Sequence, residues 1–338
     1  MSKHSSFLLS LNSFISRTSR GLQPQLYSRS ASTSSPAPLG GGPSGPHRDD
    51  NLPPPTNNKI ETDPLAENKN IIGEFTPKPL NRPLGLPYPP QPGQNTGIDT
   101  RTLRQRRDDF VDYEKHIERR KELARQAAKP YFREWTNMRY HKGKTFISNT
   151  RLFKADKALY FPNIYGRTLS PSTPMQDTTP ILRNKISVVS IFSSLWAERQ
   201  VATFVNPQKN PTLHQILKES PNVAQRVEIN YEDNAVRAWL IRMFMWRIRK
   251  KMPPEQHNRY FLVRKGLTES LREKIGMMNS KVGYVYLLDQ ECRIRWAGSS
   301  IAAEEEMESL NNGLRKLIED RRIWKGLNAL SQKTEGNV

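Results

Sequence analysis

The chain has 338 residues and a single cysteine, Cys292. One thiol cannot form an intramolecular disulfide, and it excludes both a CxxC redox pair and a multi-cysteine zinc site. Scarce cysteine also suits a reducing compartment. No run approaches the about 18 apolar residues that a membrane-spanning helix needs. The nearest candidate, Trp239 to Ile248, is too short and carries Arg242 and Arg247. Nucleotide motifs are missing too: no Walker A pattern and no GxGxxG after a strand. The six histidines show no ligand spacing, and Ser194 sits in no GxSxG elbow. Asp289 simply precedes a turn, an ordinary place for an aspartate. No catalytic residue, cofactor or metal is therefore expected.

Apolar residues make up only 35% of the chain and the mean hydropathy is −0.74, so part of it lies outside any core. Charge is abundant and one-sided. Lys and Arg number 53 against 33 Asp and Glu, a net +20, which favours anionic partners without choosing among nucleic acid, lipid and acidic protein.

Acidic residues are absent from positions 1–48, where Lys3, Arg17, Arg20, Arg29 and Arg48 stand among many serines. Phe7, Leu8, Leu9, Leu11, Phe14 and Ile15 gather loosely on one face if Ser6 to Ser19 is helical. This composition predicts a mitochondrial presequence over residues 1–33, removed somewhere in Ser28 to Ser35. Residues 34–98 read as a disordered Pro/Gly-rich linker, with Pro53, Pro54 and Pro55 followed by Pro77, Pro79, Pro83, Pro87, Pro89, Pro90 and Pro92.

From Asp99 to Lys129 the pattern predicts one charged helix. Leu103, Phe110, Ile117 and Ala124 recur every seven residues as a thin apolar seam, and Pro130 ends it. Residues 130–168 interleave aromatic and basic side chains, among them Tyr131, Phe132, Trp135, Tyr140, Phe146, Phe153, Tyr160 and Phe161. Such an arm could stack on bases. Without an alternating strand pattern, docking onto the next domain is the preferred reading.

Beyond residue 169 the signals are those of a compact α/β domain, expected over 169–323 with a C-terminal tail over 324–338. Ile186 to Phe192 is a nearly all-apolar, β-branched run, as expected for a strand buried on both faces. Ser193 and Ser194 can cap a helix running through Trp196, Val201 and Phe204. Leu213 to Lys218 reads as helix, Arg226 to Tyr231 as strand, Asn234 to Met252 as an apolar and basic helix, and Leu267 to Met278 as another. Gly283 to Asp289 and Arg293 to Gly298 form two strands joined by a turn at Gln290 and Glu291. A last helix starts at Glu304, buries Met307, Leu310, Leu314 and Leu317, and ends near Arg321 and Arg322. This order predicts an α/β, thioredoxin-like domain with a helical insertion around Asn234 to Gly266, preceded by the disordered region and the charged helix.

At VVSIFSSLWAERQVATF (Val188 to Phe204), YEDNAVRAWL (Tyr231 to Leu240), RYFLVRKGLTESLREKIGMMNSKVGYVYLLDQECRIRWAG (Arg259 to Gly298) and the closing helix, the chain resembles the mitochondrial ATP synthase assembly factors known as ATP-ten. The resemblance covers roughly residues 169–322. It implies a chaperone on the matrix side of the inner membrane, peripheral and without a span. The implied client is newly made subunit a of the Fo sector, called subunit six in yeast, which it helps join to the proteolipid ring. The family brings no catalytic residues to carry over.

Activity can be tested on the residues themselves. A thioredoxin-like redox pair sits at the start of the first helix, where this chain has Ser193, Ser194, Leu195 and Trp196. The proline that redox members place before the third strand is also missing, since Lys281, Val282 and Gly283 lead into Tyr284. Disulfide exchange is excluded, and Cys292 reads as a structural or exposed thiol.

Adhesion is then the expected chemistry. The helix Asn234 to Met252 has more large apolar residues than one buried stripe needs, and each such side chain is worth roughly 1.5–3 kcal/mol when covered. Trp239, Met243, Trp246, Arg249 and Lys250 are its candidate contacts for a client or a membrane. Leu195 and Trp196, at the vacant redox position, are a second pair. The alternatives are an RNA-binding or mitoribosome-associated protein, for which nucleic acid is the less favoured partner, and a peroxiredoxin-like enzyme acting without Cys292.

Overall fold

The computed structural model describes residues 76–99, 101–127 and 142–335. The presequence, most of the Pro-rich linker and the aromatic residues between 130 and 141 lie outside this range.

In chain order the elements are β1 (Lys78–Pro79), α1 (Leu103–Val111), α2 (Tyr113–Ala127), β2 (Phe146–Ile147), β3 (Tyr165–Thr168), β4 (Met175–Asp177), α3 (Thr179–Leu182), β5 (Ile186–Phe192), α4 (Leu195–Val205) and α5 (Pro211–Glu219). They continue with β6 (Ala224–Tyr231), α6 (Ala235–Lys251), a 3-10 turn (Pro254–Arg259), β7 (Tyr260–Val263), α7 (Glu269–Lys274), β8 (Tyr284–Leu288), β9 (Ile294–Ser299) and α8 (Glu304–Glu335).

Seven strands form one mixed sheet in the order β4-β3-β7-β6-β5-β8-β9. β5 runs parallel to β6, with Val189 beside Val227, and antiparallel to β8, with Val189 beside Tyr286. A parallel pair joined through helices, then an antiparallel hairpin and a closing helix, with strand order β6-β5-β8-β9, is the thioredoxin-like arrangement. Both faces of β5 are covered. Val188 and Phe192 pack with Phe204, Leu213, Ile241, Leu310 and Leu314, while Val189 and Ile191 pack with Leu86, Phe161, Phe261 and Tyr284. Burial on two faces is why that strand is a continuous apolar run.

The insertion after β6 is not purely helical. β7 returns from it and pairs parallel to β6, with Ile229 beside Phe261, and β3 then adds antiparallel to β7. The domain consequently begins before residue 169, because β3 and β4 belong to its sheet. Part of the expected linker belongs to it as well. Leu84 and Leu86 are buried, the amide of Gly85 donates to the carbonyl of Lys274 at 2.8 Å, and Leu86 and Tyr160 exchange backbone hydrogen bonds at 2.8 Å. Composition alone hid these two leucines among prolines.

Three helices depart from the periodic reading. The charged helix is two, α1 and α2, broken at Asp112 in extended backbone, and Leu103 and Phe110 are 83% and 69% exposed. α7 is shorter than Leu267 to Met278. Gly276, at φ +79, ends it with the amide of Met277 donating to the Arg272 carbonyl at 2.7 Å and that of Gly276 to Glu273 at 3.0 Å. This is a Schellman cap, which a glycine in left-handed backbone favours. α8 continues through the expected tail to Glu335. Its buried stripe holds Leu310, Leu314 and Leu317 together with Ile318, whereas Met307 is half-buried.

Candidate functional site

The vacant redox position is filled by the protein's own side chains. Ser194 Oγ accepts from the amide of Ala197 at 3.1 Å and so caps α4, and Ser193 Oγ donates to the carbonyl of Ser280. Leu195 and Trp196 are half-buried. Trp196 packs against the core, and Gly143 lies so close that an added Cβ would stand 2.8 Å from its ring. Val282 and Gly283 close the other side, the Gly283 amide donating to Gln200 Oε1 at 3.0 Å. A proline at that point would lack the donor. Trp196 is thus partly engaged in packing, while Leu195 and Trp196 both keep part of their surface exposed at this position.

Cys292 is 1% exposed, sits at φ +65 in the β8–β9 turn, and its amide donates to the Asp289 carbonyl at 3.0 Å. Burial pushes its thiol up to about 12, far from a reactive thiolate. Of the two readings offered for it, the structural one holds and the exposed one falls. Asp289 organises the same turn: Oδ1 accepts from the amides of Glu291 and Arg293 at 3.0 and 2.9 Å, and Oδ2 from Arg295 at 3.3 Å. Among the described residues no cluster of three His, Cys, Asp or Glu could hold a metal.

The aromatic arm is likewise engaged where it is described. Phe146 and Phe161 are buried, tilted against Tyr284 and Tyr286 at centroid distances of 6.3 and 5.6 Å. Arg293 stands 5.4 Å from the ring of Tyr160. Phe146 and Phe161, being buried, cannot stack on bases.

The candidate contacts most open to solvent lie on α6. Asn234 caps it, its Oδ1 accepting from the amides of Val236 and Arg237 at 3.0 and 3.2 Å. Two apolar stripes then run along the helix at the same three-four-three spacing. Ala238, Ile241, Met245 and Ile248 face the core. Val236, Trp239, Met243 and Trp246 lie on roughly the opposite side at this spacing, with Trp239 58%, Met243 45% and Trp246 48% exposed. Cations stand beside the outer stripe. Arg247 and Lys250 both lie 5.1 Å from the Trp246 ring, in cation–π range. Arg249 is different: its Nε donates to the Leu169 carbonyl at 2.6 Å, so this candidate ties the helix to the fold.

Beside Trp239 opens a groove of about 820 Å³ between α6, β3 and the segment after β7. Sequence reasoning noted Arg242 on its helix but missed that Arg167, Arg264 and Lys265 join it, because they come from separate elements. Among the described residues no helix is long and apolar enough to cross a membrane.

Residues 64–317 match the family model described as ATP10 protein. The mitochondrial ATPase complex subunit ATP10 of Candida glabrata is 31% identical over 70% of this chain and 84% of its own length. The protein of that name from Saccharomyces cerevisiae is 30% identical over 70% of this chain and 86% of its own length. Among solved structures, a thiol:disulfide interchange protein DsbE from Chlorobium tepidum is 11% identical, covering 49% of this chain and 99% of that one, at a TM-score of 0.31. With most of its length matched by the family model, the chain belongs to the ATP10 protein family.

Proposed function

We propose that this protein is a non-enzymatic assembly factor of the mitochondrial ATP synthase, working peripherally on the matrix side of the inner membrane. Its client is newly made subunit a, which it holds while that subunit joins the proteolipid ring. Membership of the ATP10 family supports the complex, since its relatives carry the name mitochondrial ATPase complex subunit. The observation that carries the adhesive mechanism is the second stripe of α6, an exposed Val-Trp-Met-Trp face that the core does not use. Methionine and tryptophan on one face suit a hydrophobic client, the first by its flexible thioether and the second by its large rigid area. The filled redox position and the buried Cys292 are in keeping with adhesion rather than catalysis.

The test is to label mitochondrial translation products in organelles carrying a tagged copy and isolate that copy from a mild detergent extract. Subunit a is expected among the co-isolated products. W239S/W246S should lose it while melting like the parent. Retained capture by that variant would remove the stripe from the mechanism, and absence of subunit a from the parent's eluate would remove the client. The parent is also expected not to accelerate thiol-dependent reduction of insulin.

A further inference from the structure

The groove beside Trp239 carries more positive charge than the fold uses. Arg167 of β3, Arg242 of α6, and Arg264 and Lys265 after β7 all line it, and Asp99 is the one carboxylate in its wall. Asp99 is already held by Arg101 and Arg106 at 2.9 and 3.2 Å. Arg167, Arg242, Arg264 and Lys265 have no ion-pair partner among the described residues. Arg167 and Arg242 also share the smaller hollow by Pro171 and Trp246, so the two guanidinium groups stand between both cavities. Burial, and then the neighbouring Arg242, disfavour the charged form of Arg167. Guanidinium groups gathered without a carboxylate call for an anion from outside, and their planar forks match phosphate oxygens.

The outer stripe of α6 decides which anion. Trp239 lines the cationic groove, Met243 and Trp246 line the smaller hollow that Arg167 and Arg242 also share, and Val236 extends the same exposed stripe one turn towards the start of the helix. A nucleic acid would use the cations and the rings, but it has nothing to offer Val236 and Met243. A bilayer boundary presents phosphates and hydrocarbon at neighbouring depths, and amphipathic helices with Trp and Arg or Lys settle there.

We infer that the groove and the stripe together form a seat for a bilayer surface bearing anionic phospholipids, in which Arg167 and Arg242 share a headgroup phosphate. Arg264 and Lys265 face further headgroups, and Trp239 enters the boundary beneath them. This deepens the peripheral membrane placement proposed above and rests on that placement, not on the identity of the client.

Co-flotation of the purified full-length protein tests it, using vesicles of phosphatidylcholine alone and of phosphatidylcholine mixed with phosphatidylglycerol. Binding is expected to the mixed vesicles only. R167Q/R242Q should weaken it by roughly thirty-fold, the loss expected for two headgroup contacts. R315Q/K316Q removes the same charge from an exposed face of α8, and its loss should stay within about three-fold. Equal losses in the two double variants would reduce the effect to net charge and overturn the seat. Displacement of vesicles by an equal concentration of inorganic phosphate, or tighter binding to single-stranded RNA than to vesicles, would overturn it too. If the double variant misfolds, R242Q alone decides, because Arg242 is exposed; about five-fold weaker flotation is expected and no change would sink the idea. Client capture in detergent should survive R167Q/R242Q, so failure of the lipid inference and failure of the client reading give different results.

Discussion

Gln200 holds Gly283 through a 3.0 Å hydrogen bond from the glycine amide, and the same side chain donates 2.7 Å to the carbonyl of Lys142 and 2.9 Å to Ser300 Oγ. One buried amide on α4 thus ties the entry to β8 and the incoming arm across the place where a thioredoxin-like enzyme keeps its reactive pair. Carbonyl and N–H are both used, so nothing polar is left facing a substrate.

Replacing either partner should be costly. An added Cβ at Gly283 would stand 2.4 Å from the Ala197 carbonyl oxygen, which is backbone and cannot swing aside. Gly283→Ala is expected to destabilise by about 1–3 kcal/mol through overpacking. Gln200→Leu strands the buried Gly283 amide, at roughly 1–3 kcal/mol, while the Lys142 carbonyl keeps its hydrogen bond from Ser300 Oγ at 2.6 Å. Urea unfolding followed by tryptophan fluorescence reads both. A midpoint unchanged in either variant would mean that this junction does not hold the domain.

Glu306 is a second clamp on the same arm. It is buried at the start of α8, where Oε1 accepts from the Ser148 amide at 2.9 Å, Oε2 accepts from the Ala303 amide at 2.9 Å, and Lys144 pairs with it. Glu306→Ala leaves two amides without their acceptor and the half-buried Lys144 with only the Ile301 carbonyl, and a loss of about 3 kcal/mol is expected. Lys144→Met removes the cation but keeps its stem and should cost less. Thermal melting of the two variants checks the order, and a smaller loss for Glu306→Ala than for Lys144→Met would contradict it.

Alkaline pH should weaken the fold, beginning with Cys292. Its ordinary value is 9.0, and burial raises it to about 12 in the folded protein. Below pH 9 both states keep the proton. As pH rises above 9 the unfolded thiol ionises while the folded one stays neutral, so stability falls with pH until about 12, by up to a few kcal/mol. Tyr260 and Tyr286 are also raised by burial and extend the decline above their ordinary 10.0. Cys292→Ala should flatten the curve between pH 9 and 10, and comparing it with the parent cancels the tyrosines. Parallel curves would show that the thiol does not contribute.

Legibility followed the range of each signal. β5, β8, β9, α4, α5 and α6 were readable because an apolar run, a serine or asparagine cap, or a terminal proline lies within the segment itself. β3, β4 and β7 were not. Each has only three or four residues, and β7 was absorbed into the expected helical insertion because its pairing with β6 depends on residues about thirty positions earlier. Leu84 and Leu86 show the limit of composition: a proline-rich stretch can still deliver two side chains to the core. At the surface, the excess of apolar residues on α6 was visible in the sequence, but its groove was not, since its cations meet only through the sheet.

The division of α6 into two faces can itself be measured. Ile241 is 4% exposed among Ile248, Leu262 and their neighbours, while Trp239, two residues earlier, is more than half exposed. Ile241→Ala should therefore cost about 2–5 kcal/mol by loss of contacts and an unfilled cavity. Trp239→Ala, although it removes a larger side chain, should stay within about 0.5 kcal/mol of the parent. Size alone would give the opposite order, so burial is the only variable that yields this one. Paired chemical unfolding decides between them. If Trp239→Ala proves the more damaging change, the outer stripe belongs to the core, and neither a client nor a membrane has that face to hold.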